Sequence, residues 1–186
     1  MNGDIHRYTD TIVIEVIGTP RGAGSKRGFA IKRKDGSLGV AMADSTGELG
    51  RDWRGAVIAA ARQVVHGTLA GAFAVDTSFR FARPKSHYRG GNRGLRPDSP
   101  LLHVQKPDAD KLRRAVIDAL TAALIWADDC LVVCGWNSKA WCRDGELPGV
   151  TIRINRLTAM PVGLAGSPAA FVVQTWGYLP TGVETP

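Results

Sequence analysis

Two pairs of aspartates flank one amphipathic segment of the chain. Asp108 and Asp110 sit at its mouth, in Lys106-Pro-Asp-Ala-Asp-Lys-Leu-Arg-Arg-Ala-Val-Ile-Asp-Ala-Leu, and Asp128 and Asp129 lie just past its end, in Trp126-Ala-Asp-Asp. An Asp directly before a helix is an ordinary N-cap, which accounts for one of the first pair and leaves Asp128 and Asp129 without a role. Adjacent carboxylates repel unless a cation is near, and a bound divalent metal is the simplest such cation. Mg²⁺ takes one or two carboxylates and completes its shell with water and phosphate oxygens. Three or four aspartates beside basic residues therefore suit metal-assisted phosphodiester hydrolysis, in which the metal acidifies a water and offsets charge on the phosphorane. Lys111, Arg114 or Lys139 would stabilise the same charge.

The surroundings of the acids are basic. The 186-residue chain carries a net charge of +7 and a pI near 9.7, which favours a polyanionic partner, nucleic acid before an anionic membrane surface. Between Arg80 and Arg114 there are ten Lys or Arg against three Asp, whereas Leu157 to Pro186 holds no Lys or Arg. A stretch from Arg83 to His103 reads as a long loop mixing cations with an aromatic: Arg83, Lys85, His87, Tyr88, Arg89, Arg93 and Arg96. Such a composition suits contact with a DNA backbone. No apolar run approaches the length of a membrane span, the first residues lack the apolar core of a signal peptide, and three cysteines argue for a reduced, cytoplasmic chain.

Positioning elements are legible from periodicity. Leu112, Ala115, Val116, Ala119, Leu120, Ala123 and Leu124 form one helical stripe, with Arg114 and Asp118 paired on the other side. The acids at its two ends can meet only if the next strand runs back alongside it. Cys130 to Trp141 reads as one long strand, whose Cys130 and Cys134 are expected as buried thiols, with Trp136 and Trp141 in the core or a dimer interface. A strand from Thr11 to Ile17, β-branched and mostly apolar, is expected at the sheet centre. Phe29 to Met42 reads as a hairpin about Lys34-Asp-Gly. Ser45-Thr-Gly-Glu48 has the form of a capping box opening a helix to about Val65, with Leu49, Trp53, Ala56, Val57, Ala60 and Val64 on one face. Phe73 to Phe81 alternates as a half-buried strand, and Val150 to Arg156 as a final hairpin strand. Together these predict an α/β (α+β) single domain, a mixed β-sheet against two main helices over 1–156, followed by a Gly/Pro/Ala-rich extension, 157–186, in which Phe171 to Trp176 is the one strand-like run.

The acidic motif, followed by Val132-Val and Lys139-Ala-Trp, resembles the RusA family of Holliday-junction endonucleases, whose signature reads Lys-Pro-Asp-x-Asp-Asn-Leu-x-Lys-x-x-x-Asp-Ala-Leu and then Asp-Asp. Ile17-Gly-Thr-Pro-Arg, Arg83-Pro-Lys-Ser-His-Tyr and Pro148-Gly-Val add to the likeness. The resemblance implies a homodimer of mixed α/β fold that cuts opposed strands of a four-way DNA junction with Mg²⁺, for which Mn²⁺ could substitute. It implies Asp108, Asp110 and Asp129 as metal ligands, with Asp128 as a helper, and places Arg114 where the family has an essential Lys. Arg114 keeps the charge but does not give up a proton near neutral pH. Lys111 replaces the family's Asn. Lys106, Lys111 and Lys139 join the loop cations as DNA-contacting candidates. The rival readings are a non-catalytic junction binder on the same scaffold and a metal-dependent nucleotide phosphohydrolase.

Overall fold

The computed structural model describes residues 11–24, 26–44, 47–90 and 94–157. The expected capping residues Ser45 and Thr46, the loop residue Arg93 and everything beyond Leu157 lie outside them. The elements are strands β1 (Thr11–Ile17), β2 (Lys26–Lys32) and β3 (Leu38–Asp44), helix α1 (Gly47–Val64), strand β4 (Ala72–Phe81), helix α2 (Ala109–Ala122), and strands β5 (Val132–Cys134), β6 (Asn137–Trp141) and β7 (Gly149–Leu157). Short 3₁₀ turns cover Lys85–His87 and Asp129–Leu131.

Five strands make one mixed sheet in the order β1-β7-β4, with β5 and β6 both parallel to β4 on its far side. Register explains which face is buried. Ile12, Ile154 and Val75 fall in one cross-strand row, Ile14, Ile152 and Thr77 in the next, and Val16, Val150 and Phe79 in a third. Because side chains alternate along a strand, all three rows point to one face. Trp53, Val57 and Ala61 of α1 and Leu112, Val116, Ala119 and Leu120 of α2 cover it. Each fully buried Ile or Leu there contributes about 1.5–3 kcal/mol. The opposite face carries Glu15, Asp76, Ser78 and Arg80, with Arg80 Nη2 2.8 Å from Glu15 Oε2. The mixed sheet with two main helices agrees with the class expected from sequence.

Several local expectations need correction. β1 is an edge strand, not a central one, with Val13 46% and Ile17 64% exposed; its apolar composition reflects one buried face plus two uncovered side chains. The buried face of α1 runs through Trp53, Val57 and Ala61, leaving Leu49 and Val64 exposed at its ends. The run from Cys130 to Trp141 is a 3₁₀ turn and two short strands. Cys130 is exposed and Cys134 half-buried, so neither is a core thiol. Trp141 is buried, whereas Trp136 stands out of the break and is exposed.

The end of α2 explains why its stripe stops one residue early. Leu124 adopts φ +61° and is exposed rather than buried. Its N–H bonds Thr121 O at 3.0 Å, and Ile125 N–H bonds Leu120 O at 3.1 Å. This is the Schellman pattern, in which the left-handed position usually holds Gly. A leucine there costs roughly 1–2 kcal/mol of backbone strain. Leu124→Gly should therefore raise stability by about 1 kcal/mol, read as a higher denaturation midpoint with unchanged slope; a lower midpoint would show that the leucine makes compensating contacts.

Candidate active site

The turn-back the sequence requires is present. Beyond the cap, Trp126 is fully buried, stacks on Phe73 and donates its Nε1–H to Thr121 Oγ1 at 2.8 Å. That anchor turns the chain, and β5 and β6 return antiparallel to α2. Arg113 Nη2 donates to Cys134 O at 3.1 Å, and further along the strand Asn137 Nδ2 reaches back to Ala109 O in the first turn of the helix. Asp129 is thereby carried to the helix face that bears Asp110. The two line a common cavity of about 420 Å³ with Arg113, Arg114, Ile117, Asp118, Val132 and Asn137. A wider adjoining cleft of about 910 Å³ shares Asp110, Arg114, Asp118 and Asp129 and extends to Lys111 and to Arg21–Gly24.

The four aspartates differ in what they do. Asp108 occupies the N-cap position of α2, yet its side chain makes no capping hydrogen bond. Its nearest cation is Lys111, 3.4 Å away and half exposed, a pair worth little in water. The capping explanation thus does not use its carboxylate. Asp110 lies in the first turn, where the helix N-terminus favours a negative charge. Asp128 caps the following 3₁₀ turn by accepting Cys130 N–H at 2.8 Å. Hydrogen bonds from the Cys130 thiol and amide hold the Asp128 carboxyl below its ordinary range, and the same carboxylate pushes the Cys130 thiol up. Asp128 lines neither cavity, so the adjacent pair is divided between a turn and a site.

Among the described residues, no three His, Cys, Asp or Glu come together closely enough to hold a metal by themselves. The shared cavity offers three carboxylates, Asp110, Asp129 and Asp118, the last paired with Arg114, while Asp108, two residues before Asp110, lines neither cavity. That donor set fits a largely hydrated Mg²⁺, which needs one or two carboxylates, and not a closed protein cage.

Many of the cations expected to face DNA are engaged within the fold. Lys139 gives its ammonium to Gln105 O at 2.6 Å and Pro107 O at 3.0 Å, on either side of the cis Lys106–Pro107 peptide. In the free chain it bolts the segment leading into Asp108 onto β6. Arg83 donates to Pro100 O and lies 5.7 Å from the Trp141 ring centre. Arg96 pairs with Asp98, and Arg114 Nε lies 3.9 Å from Asp118 Oδ2, the partner expected from their spacing. His87 is buried edge-on against Trp141, and His103 is buried between Phe81 and Trp141. His87 therefore packs the loop and does not present itself to a ligand. Burial, with the Lys139 charge added, pulls the His103 imidazole below its ordinary value. These aromatics, and Trp141 Nε1–H on Leu102 O, give the long basic loop an ordered base. Lys85, Arg89 and Lys106 form no side-chain ion pair or hydrogen bond among the described residues and remain open to a partner.

Two polar cavity residues were not anticipated. Arg113 is three residues after Asp110, a spacing that puts both on one helix face, so its position was readable. Asn137 carried no such signal: it accepts from Thr77 Oγ1 at 3.1 Å while donating to Ala109 O, a tertiary role.

The role given to Lys139 separates cleanly from DNA contact. Lys139→Met should lower hydrolysis about 10–100-fold, the usual cost of losing a group that orients a site, while the salt dependence of DNA binding stays unchanged. A shallower salt slope would return Lys139 to the phosphate-contacting set.

Carboxylates and guanidinium groups around one open cavity are the arrangement that phosphodiester chemistry asks for. The sequence profile for endodeoxyribonuclease RusA matches residues 24–155, and the chain belongs to the RusA family. No curated protein matches the sequence. Family membership makes the chain an endodeoxyribonuclease by class, and the matched span covers every residue of the smaller cavity. β1 lies outside it and is nevertheless paired along its whole length with β7.

Proposed function

We propose that the chain is a Mg²⁺-dependent endonuclease that resolves four-way DNA junctions and related branches, acting as a homodimer. The observation that carries this reading is the cavity shared by Asp110 and Asp129, brought together from the two ends of α2 and lined with Arg113 and Arg114. Asp110 and Asp129 would hold the cation, with Asp108, which lines neither cavity, reaching it from the residue before α2; when bound, the cation supplies positive charge to the scissile phosphate and lowers the pKa of a water nucleophile. Arg114, the more exposed of the two arginines, offsets charge on the non-bridging oxygens. Arg113, tied to Cys134 O, fixes the helix against the strand that leads from Asp129. Two-fold symmetry would present two equivalent sites to two equivalent strands.

A second reading, a junction binder without cleavage, draws on the absence of a three-acid cluster among the described residues and on Arg114 standing where the family has Lys. One experiment separates them. Purified full-length chain is mixed with a four-way junction, a linear duplex and free nucleotides, in Mg²⁺, in Mn²⁺ and in chelator. Paired nicks in opposed junction strands, lost in chelator, are expected. Binding without nicks in either metal favours the binder, and preferential hydrolysis of free nucleotides overturns both.

A further inference from the structure

The β2–β3 hairpin has no place in the chemistry described above, yet it grows out of the site. It is a two-stranded sheet of its own, paired from Lys26↔Asp44 to Lys32↔Leu38. No described hairpin side chain belongs to the core cluster. A two-stranded ribbon is at best marginally stable alone in water. This one also leaves Phe29 51%, Leu38 80% and Val40 71% exposed, so it is built to be covered.

Its tip identifies what covers it. Arg33 N–H bonds Ser37 O at 2.8 Å, and Gly36, at φ +85°, closes a three-residue loop of Lys34, Asp35 and Gly36, a common hairpin geometry. The one acid there is committed to the turn: Asp35 Oδ1 accepts from Ser37 N at 2.9 Å and Ser37 Oγ at 2.7 Å. Lys32, Arg33 and Lys34 are consecutive, exposed and without an ion pair among the described residues. With Asp35 ionised the tip still carries a net charge of +2 on an apolar ribbon, which disfavours a second basic copy of this chain and favours a polyanion. A seven-residue strand reaches about 24 Å, and the DNA major groove admits a two-stranded ribbon, where apolar side chains meet thymine methyls.

The root places that partner beside the acids. Ala23 N–H donates to Lys111 O at 2.8 Å. Gly22 sits so close to α2 that a Cβ there would lie 3.1 Å from Lys111 Cβ and 3.4 Å from Pro107 Cβ. Arg21–Gly24 line the wider cleft together with Asp110 and Asp129.

We infer that the β2–β3 hairpin is a DNA-binding ribbon that lies in a groove of the duplex arm adjoining the scissile phosphate, with Lys32, Arg33 and Lys34 on its phosphates. This rests on the nuclease reading and adds to it a contact along the arm, away from the branch point. The test uses full-length wild type and a Lys32→Ala, Arg33→Ala, Lys34→Ala variant on junctions with long and with short arms, each titrated with salt. On long arms the slope of log K against log salt should become less negative by about 2.7, three phosphates at roughly 0.9 each; on short arms the two proteins should converge. An unchanged slope on long arms while wild type binds overturns the ribbon alone, as does an equal loss on both arm lengths. A variant whose self-association changes while its slope does not assigns the hairpin to a second copy and likewise overturns it. A wild type that binds no DNA overturns the nuclease reading itself.

Discussion

Asp110→Asn should leave junction binding at its wild-type level and remove cutting. The substitution keeps the size of the side chain and its place in the first turn of α2, so the fold is undisturbed. It deletes one of the three carboxylate charges lining the shared cavity, and a neutral amide is a poor ligand for a hard divalent cation. Losing the proposed direct ligand should cost more than the ~100-fold typical of an outer-shell change. Binding should persist, or tighten slightly, because an acid facing phosphates has been neutralised. Asp128→Asn is the informative comparison: its carboxylate caps the Cys130 turn and lines neither cavity, so cutting should fall far less. Equal losses at the two positions would sink the division of labour argued above, and undiminished cutting by the Asp110 variant would sink the site.

Gly135→Ala is expected to be the most damaging single methyl at any described glycine. Gly135 has φ +144°, and a Cβ there would lie 1.9 Å from Val75 O and 2.5 Å from Val75 C, both backbone atoms of the central strand β4. No rotamer relieves such an overlap; β4 and the β5–β6 strand must part. The surrounding bonds would part with them: Trp136 N–H to Asp76 Oδ1 at 2.6 Å and Thr77 N–H to Trp136 O at 2.9 Å. A Gly-to-Ala change at a permissive position stabilises by about 0.4–1 kcal/mol; here a loss above roughly 4 kcal/mol, at the exceptional end of point mutations, is expected. Denaturant unfolding measures it, and a loss under about 1 kcal/mol would mean the two strands do not approach so closely.

What could be read from sequence was whatever repeats at short range. The α2 stripe through Leu112, Val116, Ala119 and Leu120 and the alternation of β4 are periodic, so their elements and buried faces were legible. The pairing of Arg114 with Asp118 followed from their spacing. What escaped depends on contacts between distant segments. β1 looks central because its composition is apolar, but its edge position is decided by β7 arriving from the far end of the chain. Gly135 looks like any glycine in a strand until the Val75 carbonyl is beside it. Lys139 and His87 looked like surface groups because nothing local shows the Gln105 and Pro107 carbonyls or the Trp141 ring. The acids at the site were found together as a motif, and the Cys130 hydrogen bond and the cavity lining separate Asp128 from Asp129.

The sheet order has a further consequence for how the enzyme comes into being. β7, the last of the described strands, is inserted between β1 and β4, which are made before it. Until it emerges, β1 has no partner in the sheet and β4 lacks its whole antiparallel edge. β7 contributes no residue to either cavity, yet the platform under α2 is complete only when it is in place. Such long-range pairing is slow to form. On a translating ribosome Asp110 and Asp129 would be made before the sheet under them was complete, so a half-made chain has these acids without the geometry to use them.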